Sequence, residues 1–527
     1  MIRIGNASGF YGDRFSAWRE MLDGGQLDVL TGDYLAELTM LILGRDRLKD
    51  PSLGYARTFL RQMEDCLGTA ADRGVRIVTN AGGLNPAGLA AALTALADRL
   101  GLRTRIGYVT GDAVDHPGAL VANAYLGAFG IASCLTAGAD VVVTGRVTDA
   151  SLVVGPAIAH FGWDRADLDA LAGATVAGHI LECGAQATGG NFSFFTELPD
   201  GGRRPGFPVA EVHADGSSVI TKHPGTGGAV TVDTVTAQLV YEVGAPAYLG
   251  PDVVTHLDTV TLTPDGPDRV RVSGVRGTPP PPTLKVGVNT IGGYRNAMTF
   301  VLGGLDIDAK AALVRTQLED AVGKDGLEFV LTRTEDGALL LAHIRDGDPK
   351  RAGRRFSAAA VELALASYPG CTLTTPPGDA TPYGAFTSAT VPQCPHLAIH
   401  PDGTAVAIPP PPKCKEGSLP MQNPITGGPS LHPGRGVGAR SGDKGSDANV
   451  GVWARSDHAY AALRGWLTTE RFTQLLPETA GLDVERYELP NLRAVNFVVR
   501  GLLAGNLVDP QAKGLGERLR ARIAESA

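Results

Sequence analysis

The sequence predicts an α/β protein, with a parallel-sheet, Rossmann-like amino-terminal domain, an α+β section and a small α+β domain at the carboxyl end. Three observations predict it. In ADVVVTGRVTDASLVVG (residues 139–155), three consecutive valines read as a short, fully buried strand of the kind found in parallel sheets. The chain then turns through Thr144-Gly145-Arg146 and restarts as a helix near residues 148–150. Upstream the same strand-then-helix unit recurs, its loops reading TGD, NAGG and TGD. Finally, from about residue 253 the texture turns strand-rich, and a Pro/Gly-rich stretch precedes a compact tail. The expected domains are 1–405 (open to subdivision near 250), a linker at 406–432 and a small domain at 433–527.

Taken in order, residues 2–4 open as a strand and meet a glycine turn, Gly5-Asn6-Ala7-Ser8-Gly9, before a helix over residues 14–22. This turn is neither G-x-G-x-x-G nor a P-loop. Asn6 and Ser8 face a ligand on one reading and simply make the turn on the other. LDVLTGD gives a second strand ending in Thr31-Gly32-Asp33, followed by a helix carrying Glu37. Residues 76–79 form a third strand. It delivers Asn80, Gly82 and Gly83 in a loop whose backbone can approach a ligand closely. Asn85-Pro86 is a helix start, with Asn85 as the cap and proline at the first helical position. An anionic group is a natural guest at such a helix amino terminus. Residues 106–109 lead to Thr110-Gly111-Asp112, and the valine strand leads to Thr144, Arg146 and Asp149.

Parallel strands place these four loops on one edge of one sheet, where open α/β sheets bind ligands. Capping accounts for part of the Asp, Thr and Asn enrichment, since these are also preferred caps. Arg146 there can fork onto a carboxylate or phosphate, with Asp149 orienting it. The competing reading is that the two residues pair and cap.

Further along, GHILECGAQATGGNF places His179 and Glu182 three apart on one helix face, a reasonable acid/base pair. Cys183 beside them is more often inert core than a nucleophile. Gly190 and Asn191 follow in a turn. Lys222, His223 and the loop Gly225-Thr226-Gly227-Gly228 read either as a phosphate or acyl-CoA contact or as a simple turn ahead of a helix near Asp233. Proline punctuation at 279–282 and helical patterns at 309–322 and 352–367 mark the α+β section. The run of prolines at 409–412 opens the linker. In the tail, Asp443, Lys444, Asp447 and Asn449 crowd a turn ahead of a strand, with a helix around Phe472 and a strand over 495–499. That turn is either solvated or closes over the first domain's pocket or an oligomer interface.

Composition sets the outer limits. The chain has 527 residues, 43% hydrophobic and 19% charged, with a net charge of −8 and pI near 5.8. That balance offers no basic face for nucleic acid or an anionic membrane. No run of 18 apolar residues predicts a membrane span, and the first residues carry no signal-peptide core. Cys66, Cys134, Cys183, Cys371, Cys394 and Cys414 are scattered without zinc-type spacing, so reduced thiols in the cytoplasm are expected. No metal is assigned. Asp33, Asp112 and Asp149 on one sheet edge are the set that would suit Mg2+ if one were bound.

NAGGLNP, TGRVTDASLVVGP, GHILECGAQATGGNF, TKHPGTGGAVTVDTV, RSGDKGSDANVGVWAR and LPNLRAVNFVVRGLL together resemble the acyclic terpene utilisation (AtuA-like) family. The resemblance runs in order over nearly the whole chain. It implies that the tail is the ferredoxin-like domain some members carry fused. It also implies a part in the catabolism of citronellol- and geraniol-type acids as coenzyme A thioesters, and supplies no catalytic residue.

The expectation is therefore an enzyme acting on a branched-chain or isoprenoid acyl-CoA or related acid by lyase or hydratase-type proton chemistry. His179 or Glu182 would move the proton, Arg146 would hold the anion, and glycine-loop N–H groups would stabilise an enolate. Coenzyme A enters only as part of the substrate, and a homo-oligomer is expected. The rival from another class is a non-catalytic assembly or ligand-binding partner of acyl-CoA enzymes. A nucleotide-binding enzyme using the residue 5–9 turn is the third reading, and it lacks the fingerprint.

Overall fold

The computed structural model describes residues 1–374, 376–412, 432–434, 436–503 and 514–526, with Lys444 described by its backbone alone. The predicted strands are present as β1 (Ile2–Asn6), β2 (Val29–Gly32), β3 (Arg76–Thr79), β4 (Ile106–Thr110) and β6 (Val141–Thr144), and a strand not predicted, β5 (Val121–Ala124), lies between the last two in sequence. Of these, β1, β2, β3, β6 and β4 lie side by side in that order, all parallel. Every residue of β2 and β6 is buried. That is what near-continuous Val and Leu in the middle of a two-sided sheet requires.

The sheet is mixed, however. β7 (Pro208–Val212) pairs antiparallel with β1, and β8 (Ser218–Lys222) with β7. Strands Val270–Ser273 and Thr261–Pro264 follow beyond β8. On the other flank His396–Ile399 pairs antiparallel with β4 and Ala405–Ile408 with His396–Ile399, giving eleven strands among the described residues. The strand-rich stretch past residue 253 thus extends the first sheet in part, while Val254–His256 and Arg276–Thr278 pair with each other in a small separate sheet with Ala247–Leu249. Residues 405–408, at the start of the expected linker, form its outermost strand; 413–431 lie outside the described residues.

Helices α1 (Ala17–Gly24), α2 (Glu37–Lys49), α3 (Arg57–Asp72), α4 (Pro86–Arg99), α5 (Phe129–Thr136), α6 (Ser151–Phe161), α7 (Leu168–Leu181) and α8 (Val232–Leu239) complete this part. α4 starts as its sequence demands: Asn85 Oδ1 accepts the Gly88 N–H at 2.9 Å, and Pro86 fills the first turn. α7 is apolar nearly all round and correspondingly buried. It meets α6 through Gly178, where a Cβ would lie 2.6 Å from the Ala150 carbonyl oxygen. Only a glycine allows the backbones that close, and the contact draws His179 toward the loop that carries Asp149.

The chain divides into two compact units, residues 1–289 with 386–527, and Thr290–Ala385. The boundaries fall at 289/290 and 385/386. The second unit is an antiparallel arrangement of Leu327–Thr334, Gly337–Asp346 and the 294–303 stretch, with helices Ile307–Val322 and Phe356–Glu362. Phe300, Val314, Leu318, Leu340 and Phe356 form its core. The helix expected over 352–367 is broken by a wide turn at Arg351–Arg355, where Gly353 leaves helical geometry, and ends at Glu362.

Residues 437–503 and 514–526 build a four-stranded antiparallel sheet ordered Val437–Lys444, Asp447–Ala454, Ala494–Val499, Val484–Leu489. The charged turn expected at 443–449 is a tight hairpin between the first two of these strands. One face is apolar: Val437, Ala439, Val450, Val452, Val495, Phe497 and Val499 pack on helices Asp457–Trp466, Thr469–Leu475 and Leu515–Glu525. The other face carries Gly438, Arg440 and Gly442, with Trp453, Gly451 and Asn449 as their cross-strand partners. Strand alternation places all six on one side. That side is not solvated. It docks on residues 190–194 and 240–244 of the same unit.

Candidate functional site at the sheet edge

The carboxyl ends of the parallel strands converge on one buried, hydrogen-bonded seam. Asp33 follows β2, and its Oδ1 accepts from Asn80 Nδ2 (2.6 Å) and from the Leu35 N–H (3.1 Å). Asn80, following β3, accepts the Tyr34 N–H through Oδ1 (2.7 Å). Arg146 follows β6. Its Nη1 donates to the Leu35 carbonyl (2.9 Å) and to Asp149 Oδ1 (2.7 Å), and its guanidinium stacks 4.2 Å from the Tyr125 ring centre. Asp112, after β4, accepts the Arg146 N–H (2.9 Å) and Asn123 Nδ2 (2.8 Å). Four loops from four strands are thus bonded to one another, the geometry their repeated sequence pattern implies.

Asn6 joins this edge to α7. Its Nδ2 donates to the Leu181 carbonyl at 2.6 Å, and its Oδ1 accepts from Thr31 Oγ1 at 3.2 Å. At the end of α7, His179 Nδ1 lies 2.9 Å from Glu182 Oε1, with side chains 2% and 7% exposed. Tyr248 stands against the imidazole, ring centres 5.4 Å apart. Gln238 Nε2 donates to the His179 carbonyl at 3.4 Å and extends the seam toward Cys183 and Tyr241.

Burial dominates the electrostatics. It pushes the Asp33 carboxyl well above the usual carboxylate range, with Asp149 adding to the push against Arg146 and Asn80. Asp112 is raised by burial and held back by the Arg146 N–H and Asn123. Burial opposes the Arg146 charge, but Asp149, Tyr125, Glu37 and Asp33 outweigh it and keep the guanidinium firmly protonated. The Cys183 thiol and the Tyr248 phenol are both pushed up, by burial first and then by Glu182 among neighbouring acids. Cys183 is accordingly held as a thiol, which does not suit a nucleophile.

The expected site residues sort into two groups. Asn6, Thr31, Asp33, Asn80, Asp112, Thr144, Arg146, Asp149, His179 and Glu182 lie along this one edge. Ser8 turns its hydroxyl to the Phe10 carbonyl (3.0 Å). The others do structural work. Asn85 is spent on its cap and on the Ser52 and Leu53 carbonyls. Gly82 and Gly83 pack against Thr144 and Gly54 backbone. In place of a phosphate cradle, Lys222 reaches Asp268 (3.1 Å) and the Thr226 carbonyl (2.7 Å), and His223 bonds to the Met21 carbonyl (3.0 Å). Gly225 to Gly228 then form a turn packed on Arg204, Pro205 and Thr188. Asp33, Asp112 and Asp149 are turned to separate partners. Among the described residues no group of three or more His, Cys, Asp or Glu is placed to hold a metal ion.

Arg440 is brought against the end of this seam by the fold, and its local sequence does not announce it. From the docked face of the carboxyl-terminal sheet it reaches the carbonyls of Asn191 (2.9 Å) and Gly190 (3.3 Å), and it lies 4.6 Å over the Tyr241 ring. The docking is close because two glycines permit it: a Cβ on Gly442 would meet Glu242 Cγ at 2.6 Å, and one on Gly451 would meet Val240 Cβ at 2.5 Å. Asn449 Oδ1 accepts the Glu242 N–H at 2.7 Å, and Asn496 Nδ2 donates to the Val243 and Gly244 carbonyls at 2.9 and 2.8 Å. Trp453 stacks on Phe192 with ring centres 6.2 Å apart. The one signal for it is the alternation G-x-R-x-G opposite N-x-G-x-W.

No helix among the described residues is long and apolar enough to cross a membrane. The chain matches no curated protein. Two family models do match it: "Acyclic terpene utilisation family protein AtuA" over residues 2–396, and "AtuA ferredoxin-like domain" over residues 437–523. The first covers most of the chain, including every loop of the sheet edge, and the second covers the module that supplies Arg440. The chain belongs to the acyclic terpene utilisation (AtuA) family and carries that family's ferredoxin-like domain at its carboxyl end.

Proposed function

We propose that the protein is an enzyme of acyclic terpene breakdown that moves a proton on a branched isoprenoid acid or its coenzyme A thioester, in a lyase or hydratase-type step. The observation that carries this reading is the buried His179–Glu182 pair at the end of α7, bonded at 2.9 Å and tied by Asn6 to the sheet edge. A carboxylate accepting from Nδ1 fixes the tautomer in which Nε2 carries the lone pair, and it stabilises the imidazolium formed when Nε2 takes a proton. Arg146, kept charged by its neighbours, supplies positive potential on the same edge for the negative charge that develops on the substrate oxygen.

Proton transfer is tested directly by solvent deuterium incorporation. Citronellyl- and geranyl-type acyl-CoAs and the free acids are incubated with the full chain in D2O and followed by mass spectrometry. Exchange next to the carbonyl is expected with the wild-type protein. It is expected to fall by about 100-fold or more in His179→Gln, the low end of general acid–base contributions, and by a smaller factor in Glu182→Gln, which leaves the imidazole in place. Binding without exchange on any of these compounds would overturn the enzymatic reading in favour of a non-catalytic ligand-binding partner.

A further inference from the structure

We propose that Arg440, delivered by the ferredoxin-like module, is the carboxylate-binding residue of the buried seam, so that the ligand enters as a free branched acid. The inference rests on the reading of the sheet edge as an isoprenoid-acid site. It stands on three features of the fold. Arg440 is 6% exposed, yet its Nη2 has no hydrogen-bond partner among the described residues. A buried donor left unmet costs roughly 1–3 kcal/mol, and native structures seldom leave one without an acceptor supplied from elsewhere.

The second feature is orientation. Nη1 is anchored on the Gly190 and Asn191 carbonyls and the guanidinium plane lies over Tyr241, so the remaining edge of the fork is fixed in place. A planar fork with one fixed edge matches a carboxylate, whereas a lysine ammonium would not hold that geometry. The third is location. Gly190 and Asn191 follow the end of α7 that carries His179 and Glu182, and Tyr241 and Glu242 continue from α8, whose Gln238 bonds to the His179 carbonyl. Arg440 therefore reaches the seam where the chain leaves α7, through Gly190, Asn191 and Tyr241. A thioester carbonyl carries no charge to meet this donor. That distinction makes the proposal specific to the acid.

The test uses the full chain and four probes: citronellate, its neutral amide, acetate as the minimal carboxylate, and ethylguanidinium as a rescue agent. Binding is followed by calorimetry and by saturation-transfer NMR for acetate. Citronellate is expected to bind at least tenfold more tightly than its amide. Arg440→Ala should abolish that preference and the acetate signal, ethylguanidinium should restore both, and Arg440→Lys should recover only part. Near-UV circular dichroism checks that each variant keeps its docked module; if Arg440→Ala does not, Arg440→Lys alone carries the comparison. Equal citronellate affinity in the wild type and the folded variants would overturn the role of Arg440 while leaving the isoprenoid reading intact. Acetate binding that depends on Arg440 with no gain from the citronellyl tail would keep the carboxylate site and overturn the isoprenoid reading. No preference for acid over amide in the wild type overturns the proposal outright.

Discussion

Replacing Asn496 by leucine should separate the ferredoxin-like module from the body without unfolding either. Asn496 is fully buried, donates to the Val243 and Gly244 carbonyls at 2.9 and 2.8 Å, and accepts from Asn449 Nδ2. Leucine has a similar volume and offers none of these bonds. Two carbonyls and one amide donor are left dry, at about 1–2 kcal/mol each, and burial of the leucine returns about 1–2 kcal/mol. The net loss is about 2–4 kcal/mol, taken from docking because all three stranded groups lie across the seam or on its face. Hydrogen-exchange mass spectrometry reads the outcome segment by segment. Amides at 240–244 should lose protection, while the strand ladders at 447–454 and 494–499 keep theirs. Fluorescence should shift to the red as Trp453, 1% exposed and stacked on Phe192, meets water. Wild-type protection at 240–244, or loss confined to the module's own ladders, would refute the role of Asn496 in docking.

Three further outcomes follow from the same geometry. Arg146→Met removes the Asp149 ion pair and the main offset to the raised Asp33 carboxyl, so stability should fall by about 3–5 kcal/mol; Asp149→Asn added to it should restore part, and a denaturant-measured loss below about 1 kcal/mol would contradict the pairing. Burial, helped by Arg165, depresses the His396 pKa from 6.5 to about 4. The stability this contributes is present above pH 6.5 and is lost as pH falls toward 4, on the order of 2–4 kcal/mol. His396→Phe should therefore show a flatter stability profile than the wild type across that window. Asn85→Ala removes the cap on Gly88 and two bonds to the 52–53 backbone, and thermal melts should report a loss of about 1–2 kcal/mol.

The parallel core and its edge were legible in the sequence because both are local. A run such as Val141-Val142-Val143 declares its burial, and each loop carries its own Asp, Asn or Arg directly after the strand. What escaped is non-local. Nothing in Pro208–Val212 or His396–Ile399 says that the first pairs with residues near the amino terminus and the second with β4, since partner choice depends on distant chain. The loop at 222–228 stayed ambiguous in the sequence because glycines that make a turn and glycines that cradle phosphate look alike; in the fold Lys222 pairs with Asp268. Arg440 escaped for a different reason. The charged turn at 443–449 stands out in that stretch instead, although glycines two residues to either side of Arg440 mark a strand face that another surface approaches closely.

The seam's two sides are made at very different times. The aromatic patch of Phe192 and Phe194 leaves the ribosome long before Trp453, which stacks against it; at ordinary elongation rates the gap is roughly 10–50 s. Throughout that interval the growing chain shows an uncovered hydrophobic face and lacks Arg440. A chain cut back to residue 436 is therefore expected to leave Phe192 and Phe194 without their Trp453 cover and to be cleaved faster than the full chain in limited proteolysis.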